Sequence, residues 1–111
     1  MNLLKASKII KKYYEDYYDN LVSIKVKPKT EFNDLYMIVK KQSNINGKKI
    51  TENMVIHEWQ IFAIIKQYYE KRKYEVYNIN YEYYFHNIHI TYRKKEREKR
   101  YIKYQSNYKT V

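Results

Sequence analysis

Two segments that lie 55 residues apart carry almost the same seven residues, IIKKYYE at 9–15 and IIKQYYE at 64–70. Apolar residues around both copies recur every three or four positions, which is typical of a helix with one buried face. The spacing predicts amphipathic helices over residues 3–20 and 52–72, with Thr51 as the N-cap of the second. Each helix needs a partner surface for its apolar stripe, so the rest of the chain must supply one.

The paired lysines of the chain strengthen the repeat. Each predicted helix leads into strand-like sequence that ends in two lysines, Lys40-Lys41 and Lys94-Lys95. A tandem αββ duplication with half-repeats at 3–41 and 55–95 explains these matches. Chance agreement is the alternative, because Lys, Ile, Asn and Tyr make up 59 of the 111 residues.

Alternation of apolar and polar residues, which is typical of half-buried strands, follows each helix. It is found at residues 22–27, 35–41, 74–85 and 88–93. The segment EFND at 31–34 favours a turn. Asn46-Gly47, which contains the only glycine of the chain, favours a two-residue hairpin turn and a short strand at 48–50.

These elements predict an α+β fold with the order αββαββ. In this arrangement four strands form a mostly antiparallel sheet, and the two helices pack on one of its faces. Residues 1–92 are expected to form a single domain. Residues 93–111, which hold eight basic and two acidic residues, are expected to form a basic C-terminal helix or tail.

The strongly positive charge indicates an anionic partner. Lys and Arg number 23 against 12 acidic residues, which gives a net charge of +11, and nucleic acid is the commonest partner of such a chain. A bias towards AT-rich codons also enriches Lys, Ile, Asn and Tyr, so the placement of the charges matters more than their total. The chain has no cysteine and no long apolar run. We therefore expect a cytoplasmic protein without disulfides, thiolate metal sites or membrane contact.

The sheet face that points away from the helices and the C-terminal segment are predicted to bind nucleic acid. Cations there would contact phosphates and aromatic rings would stack on bases. Asn78, Asn80 and Thr91 are expected to share a face with two of the candidates, His89 and Arg93. The full set of candidates is Lys25, Lys27, Tyr36, Lys40, Lys41, His89, Arg93, Lys94, Lys95, Arg97, Lys99, Arg100 and Tyr104. The alternative is a sheet face that is charged only because it meets solvent.

Three classes of function compete. The leading hypothesis is a small nucleic-acid-binding protein with limited sequence specificity, of a kind that would suit a phage, virus or plasmid. The second is a protein-interaction module, such as an inhibitor that docks on a host enzyme. The third is a metal-independent ribonuclease that uses His89, Tyr92 and Arg93. The first two are compatible with a homodimer. We expect no enzyme activity and no cofactor, because the chain has a single glycine for a phosphate-binding loop and its four serines lie in no recognisable nucleophile motif. We expect no metal site, because His86 and His89 would point to opposite faces of a strand.

Overall fold

The computed structural model describes residues 1–95 and has an α+β fold, as predicted. Two helices and five strands form its regular structure, with one short 3₁₀ turn at Tyr83–Phe85. The elements in chain order are α1 (Leu3–Tyr17), β1 (Leu21–Glu31), β2 (Asp34–Ile45), β3 (Lys48–His57), α2 (Glu58–Lys71), β4 (Tyr74–Glu82) and β5 (Asn87–Lys94).

The predicted order αββαββ and the single four-stranded sheet are not confirmed. The strands form two separate antiparallel sheets, one with the order β1-β2-β3 and one with β4-β5. Three strands follow the first helix and two follow the second, so the two halves differ in strand number. The tandem duplication, which would make the halves alike, stays a prediction.

The extra strand arises where the second helix was predicted to begin. Residues 51–57 continue β3, which pairs with β2 over ten consecutive positions from Lys48 to His57. The Asn46-Gly47 turn sets this register, and both of its residues have positive φ, as a tight hairpin turn requires. The hairpin therefore overrides the capping signal at Thr51, and α2 begins instead at Glu58. There the His57 backbone N–H donates to the Gln60 side chain at 3.0 Å.

One apolar core joins the helices to both sheets. The three-stranded sheet contributes the inward residues of β2, as the alternation predicted, and β5 contributes a fully buried isoleucine. Both helices contribute their inner stripes. The buried members are Ala6, Ile9, Ile10, Ile24, Leu35, Met37, Val39, Ile56, Ile61, Ile64, Ile65 and Ile88. On a strand this alternation leaves the intervening side chains on the other face.

The two-stranded sheet is attached through the chain's first residue and a tyrosine cluster. The Met1 ammonium donates to the Ile88 carbonyl at 2.8 Å, and the Ile88 backbone N–H donates to the Met1 carbonyl at 2.8 Å. Tyr69 of α2 packs 4.9 Å from Tyr92 and 6.1 Å from Tyr74, measured between ring centroids. Burial raises the pKa of the Tyr69 hydroxyl above its ordinary value of 10.0, and its tyrosine neighbours add to the shift.

Candidate functional site

The three-stranded sheet has one face in the core and one face that no buried residue occupies. We call the second the open face. Its cross-strand neighbours follow from the register of β1 with β2 and of β2 with β3. The open face consists of Ser23, Lys25, Lys27 and Lys29 of β1, Tyr36, Ile38, Lys40 and Gln42 of β2, and Thr51, Asn53, Val55 and His57 of β3.

Two lysines stand directly opposite one another on the open face. Lys25 of β1 pairs in register with Lys40 of β2, and Lys27 lies one row along. All three side chains are exposed. Within residues 1–95, no carboxylate lies within ion-pair distance of any of them. Like charges that oppose each other across strands destabilise a sheet, so this pair costs the fold some stability.

The opposed lysines border a small polar depression of about 120 Å³ that Ser23 and Gln42 complete. The Ser23 hydroxyl donates to the Gln42 amide oxygen at 3.4 Å, and the Gln42 amide N–H donates to the Thr51 hydroxyl at 3.5 Å. Both distances are at the long end for hydrogen bonds, so these groups exchange partners at little cost. Two ammonium groups, a hydroxyl and an amide together match the needs of a phosphate.

An aromatic region lies further along the same strands. Tyr36 is half-buried and lies about 13 Å along β2 from Lys40. Its cross-strand neighbours are Lys29 of β1 and His57 of β3. Beside it an open groove of about 610 Å³ reaches Trp59, whose side chain is 71% exposed. An exposed ring of this size offers a surface on which another planar group can stack.

Acidic side chains accumulate at this aromatic end. Glu31, Asp34 and Glu58 line the groove beside Tyr36 and Trp59. Among the described residues, no group of three or more histidine or acidic side chains is arranged to hold a metal ion. The open face therefore has a polarity, with lysines from the Ser23 end as far as the Tyr36 row and carboxylates beyond Tyr36. Anions are favoured at the lysine end.

The structure brings four of the predicted binding residues together on this face, namely Lys25, Lys27, Tyr36 and Lys40. It places Lys41 on the other face, where its side chain is buried. The Lys41 ammonium lies 3.4 Å from a Glu52 carboxylate oxygen and 3.5 Å from the centroid of the Tyr18 ring. Lys41 therefore holds the helix-facing side of the sheet together and cannot act with Lys40 on the open face.

The candidates on β5 lie on a different surface. His89 and Arg93 share the outer face of the two-stranded sheet with Asn78, Asn80 and Thr91, as expected from the alternation. Both side chains have carboxylate neighbours. The His89 Nδ1 atom lies 3.8 Å from Glu82, and the Arg93 Nε atom lies 3.5 Å from Glu75. This partial neutralisation makes the outer face a weaker attractor of anions than the open face.

The remaining candidates lie at and beyond the end of β5. Lys94 and Lys95 are exposed, and the Lys95 backbone N–H donates to the Lys73 carbonyl at 2.9 Å. Arg97, Lys99, Arg100 and Tyr104 lie outside the described residues.

The three groups of the ribonuclease hypothesis do not converge. Tyr92 packs into the cluster with Tyr69 and Tyr74, with ring centroids 4.9 and 5.3 Å away. His89 and Arg93 point to the opposite side of β5. His86 is likewise engaged elsewhere, since its Nδ1 atom is 3.0 Å from the Tyr81 hydroxyl.

Sequence reasoning missed three residues of this region. Lys29 extends the alternation of Lys25 and Lys27 by one step, which was a usable signal. His57 joins the open face only because β3 is longer than predicted. Trp59 lies well inside the helix predicted over residues 52–72, whose apolar residues were expected to be buried, whereas the first turn of α2 exposes it.

In the part of the chain that the structure describes, neither helix has the length and apolar character needed to cross a membrane. No family model, curated protein or solved structure matches the chain.

Proposed function

We propose that the protein binds nucleic acid by its phosphates, on the open face of the three-stranded sheet. The observation that carries the proposal is the Lys25–Lys40 pair, which opposes two cations without a carboxylate partner among the described residues. An arrangement that costs stability and concentrates positive charge is more readily explained by an anionic ligand than by the fold. Ser23 and Gln42 offer that ligand hydrogen bonds in the same depression.

The path of the ligand follows from the polarity of the face. A phosphate at the lysine pair places the next nucleotides along β2 towards Tyr36, where a base can stack. The carboxylates of the groove beyond Tyr36 repel further phosphates, so the strand turns away at that end. Single-stranded nucleic acid fits this arrangement better than a duplex, because its bases are free to stack.

Sequence specificity is expected to be low. Lysine is a flexible point charge, and phosphate contacts fix position without reading bases. The C-terminal sequence at 93–111 adds eight basic residues against two acidic ones and supplies further charge. The proposal places the protein in the cytoplasm, in contact with DNA or RNA, and its composition suits a phage, virus or plasmid accessory protein.

Fluorescence anisotropy with single- and double-stranded DNA and RNA oligomers tests the proposal. The titrations run from about 50 to about 300 mM salt, where phosphate contacts weaken strongly. The Lys25→Gln/Lys40→Gln variant is compared with Lys5→Gln/Lys8→Gln, which removes the same charge from exposed positions of α1. The slope of log affinity against log salt should fall by about 0.7 to 0.9 for the sheet variant, because the lysine pair holds one phosphate, and little for the helix variant.

Two results would overturn the proposal. One is the absence of binding to all four ligands at the lowest salt concentration. The other is an equal loss of affinity in both double variants, which would mean that only total charge matters.

A second function, docking on another protein, is favoured by one observation. Trp59 is highly exposed beside a groove lined by Leu35, Val55 and three carboxylates, and exposed tryptophans are common anchors of protein interfaces. A Trp59→Ala variant that keeps its oligonucleotide affinity but loses a protein captured by the wild-type chain from nuclease-treated lysate would support this role. Unchanged capture would count against it.

A further inference from the structure

Strand β3 forms a free edge of the three-stranded sheet. Within residues 1–95 it pairs only with β2, along ten positions without a bulge. It contains no proline, and its lysines are confined to its first two positions, Lys48 and Lys49. Ile50 and Val55 on this strand are 38% and 52% exposed. Such a regular and partly apolar edge is a template for another strand.

The other edge of the sheet is protected by comparison. Strand β1 contains Pro28 and has an irregular register between Leu21 and Ser23. It also carries three lysines, Lys25, Lys27 and Lys29. Proline, bulges and lysines are the usual devices that prevent pairing at an edge. Since only β3 lacks them along most of its length, an added strand would join there.

A second copy of β3 fits this edge in one full-length antiparallel register. In the joined sheet the core-facing side chains of both copies must lie on the same side. Opposed residues must then both be core-facing or both be open-face residues, so the two-fold axis must pass through a residue and not between residues. For a ten-residue strand the two choices that pair nearly all of it are Glu52 and Asn53. An axis at Glu52 sets Glu52 against its own copy, and opposed like charges destabilise a sheet.

An axis at Asn53 avoids this repulsion. Glu52 then faces Met54 of the second copy, Thr51 faces Val55, and Ile50 faces Ile56. Lys49 faces His57 at the ends of the paired region. No two lysines and no two carboxylates oppose one another in this register. This register therefore pairs two copies of the edge without opposed like charges and sets one apolar pair, Ile50 and Ile56, on each side of the axis.

We propose that two copies of this chain pair through β3, antiparallel and centred on Asn53, to form a six-stranded sheet. Asn53 is the cross-strand neighbour of Lys40, which in turn opposes Lys25. The dimer therefore aligns both lysine pairs in one row across six strands. The outer lysines of that row lie five strand spacings apart, which is about 24 Å.

This alignment gives the dimer a function that one copy lacks. Two lysine pairs on a continuous open face can hold two phosphates of one nucleic acid strand, and the second contact becomes intramolecular once the first has formed. This consequence depends on the proposed nucleic-acid binding. The pairing of β3 does not, because it rests on the edge alone.

Disulfide trapping tests the register in a chain that has no cysteine of its own. In the proposed dimer the two Cα atoms at position 53 lie about 4.5 to 5.5 Å apart, within the range of a disulfide. The control is Thr51→Cys, another exposed position of β3, whose two copies would lie about 13 Å apart. Asn53→Cys should form a covalent dimer on mild oxidation, and Thr51→Cys should not. A mixture of Thr51→Cys and Val55→Cys chains should cross-link to each other.

Sedimentation equilibrium of the unmodified chain, at about 300 mM salt and without nucleic acid, tests the association itself. A monomer–dimer equilibrium is expected in the micromolar range, because the interface is small. In the Thr51→Glu/Val55→Lys variant the new glutamate of each copy faces the new lysine of the other copy, whereas in Thr51→Lys/Val55→Lys two lysines face each other at the same positions. The first variant should therefore dimerise at least about tenfold more tightly than the second.

The proposal is overturned if the chain stays monomeric at about 200 μM, well above such dissociation constants. It is also overturned if Thr51→Cys cross-links to itself as readily as Asn53→Cys, or if the two charge variants associate equally. These measurements contain no nucleic acid, so their failure is distinct from a failure of the binding proposal.

Discussion

Replacing Lys40 by glutamate should make the protein more stable and a poorer ligand for nucleic acid. The change converts the repulsion between Lys25 and Lys40 into an attraction between Lys25 and a carboxylate on an exposed face. A cross-strand charge pair contributes about 0.2 to 1 kcal/mol in either direction. Loss of the repulsion and gain of the attraction together give about 1 kcal/mol, after allowance for screening at the surface.

Thermal unfolding followed by circular dichroism measures this gain. For a domain of this size about 1 kcal/mol raises the melting temperature by roughly 4 °C. The gain should shrink at about 1 M salt, where the Debye length falls to about 3 Å. In anisotropy titrations the same variant should lose about one unit of log–log salt slope, because one phosphate contact is gone and a carboxylate now repels the ligand.

Two control variants isolate the contribution of position 40. Lys40→Gln removes the repulsion without adding an attraction, so its stability should fall between those of the wild type and Lys40→Glu. Lys8→Glu makes the same change in net charge on the exposed side of α1. If Lys40→Glu is no more stable than Lys40→Gln, or if it binds oligonucleotides as tightly as Lys8→Glu does, the account of the lysine pair is refuted.

Three further variants test other parts of the structure. Lys41→Ala removes the ammonium that lies between Glu52 and the Tyr18 ring. It should lower the free energy of unfolding by about 1 to 2 kcal/mol in urea titrations and leave the salt slope of nucleic-acid binding unchanged. A fall in that slope would show that Lys41 contacts the ligand. Ile65→Ala leaves a cavity at a fully buried position and should cost about 2 to 5 kcal/mol, whereas a loss below about 1 kcal/mol in the same titration would contradict the assigned core. Because burial raises the pKa of Tyr69 above 10.0, its contribution to stability is complete below pH 10 and is lost as the pH rises through the folded-state pKa. Urea midpoints should therefore fall above pH 10 and fall less in Tyr69→Phe, and equal pH profiles for the two proteins would show that this tyrosine is not responsible.

Much of the first hairpin could be predicted from local sequence. The EFND turn at 31–34 and the alternation of Leu35, Met37 and Val39 both appear in the structure. With Glu31 opposite Asp34, counting back along both strands already places Lys25 opposite Lys40. The same alternation puts Lys41 on the inner face with Leu35 and Val39. The prediction that Lys41 belongs to the binding surface is inconsistent with this parity.

The division into two sheets could not be predicted in this way. Alternation shows which side of a strand is buried but does not show which strand lies next to it. The length of β3 was also hidden, because Thr51 and Glu52 satisfy a helix N-cap as well as a strand. The ten-position pairing with β2 decides between these structures, and it depends on a partner that local sequence does not identify. The exposure of Trp59 was missed for the same reason, because α2 begins at Glu58 and Trp59 therefore lies in its first turn.

Lysine footprinting by acetylation and mass spectrometry identifies the surface that contacts nucleic acid one residue at a time. The full-length protein is acetylated with and without a saturating single-stranded oligonucleotide. We expect the ligand to protect Lys25, Lys27 and Lys40 from acetylation, while Lys5 and Lys8, on the exposed side of α1, react as before. Equal reactivity of Lys25 and Lys40 in the free and bound protein, with protection on α1 instead, would contradict this expectation.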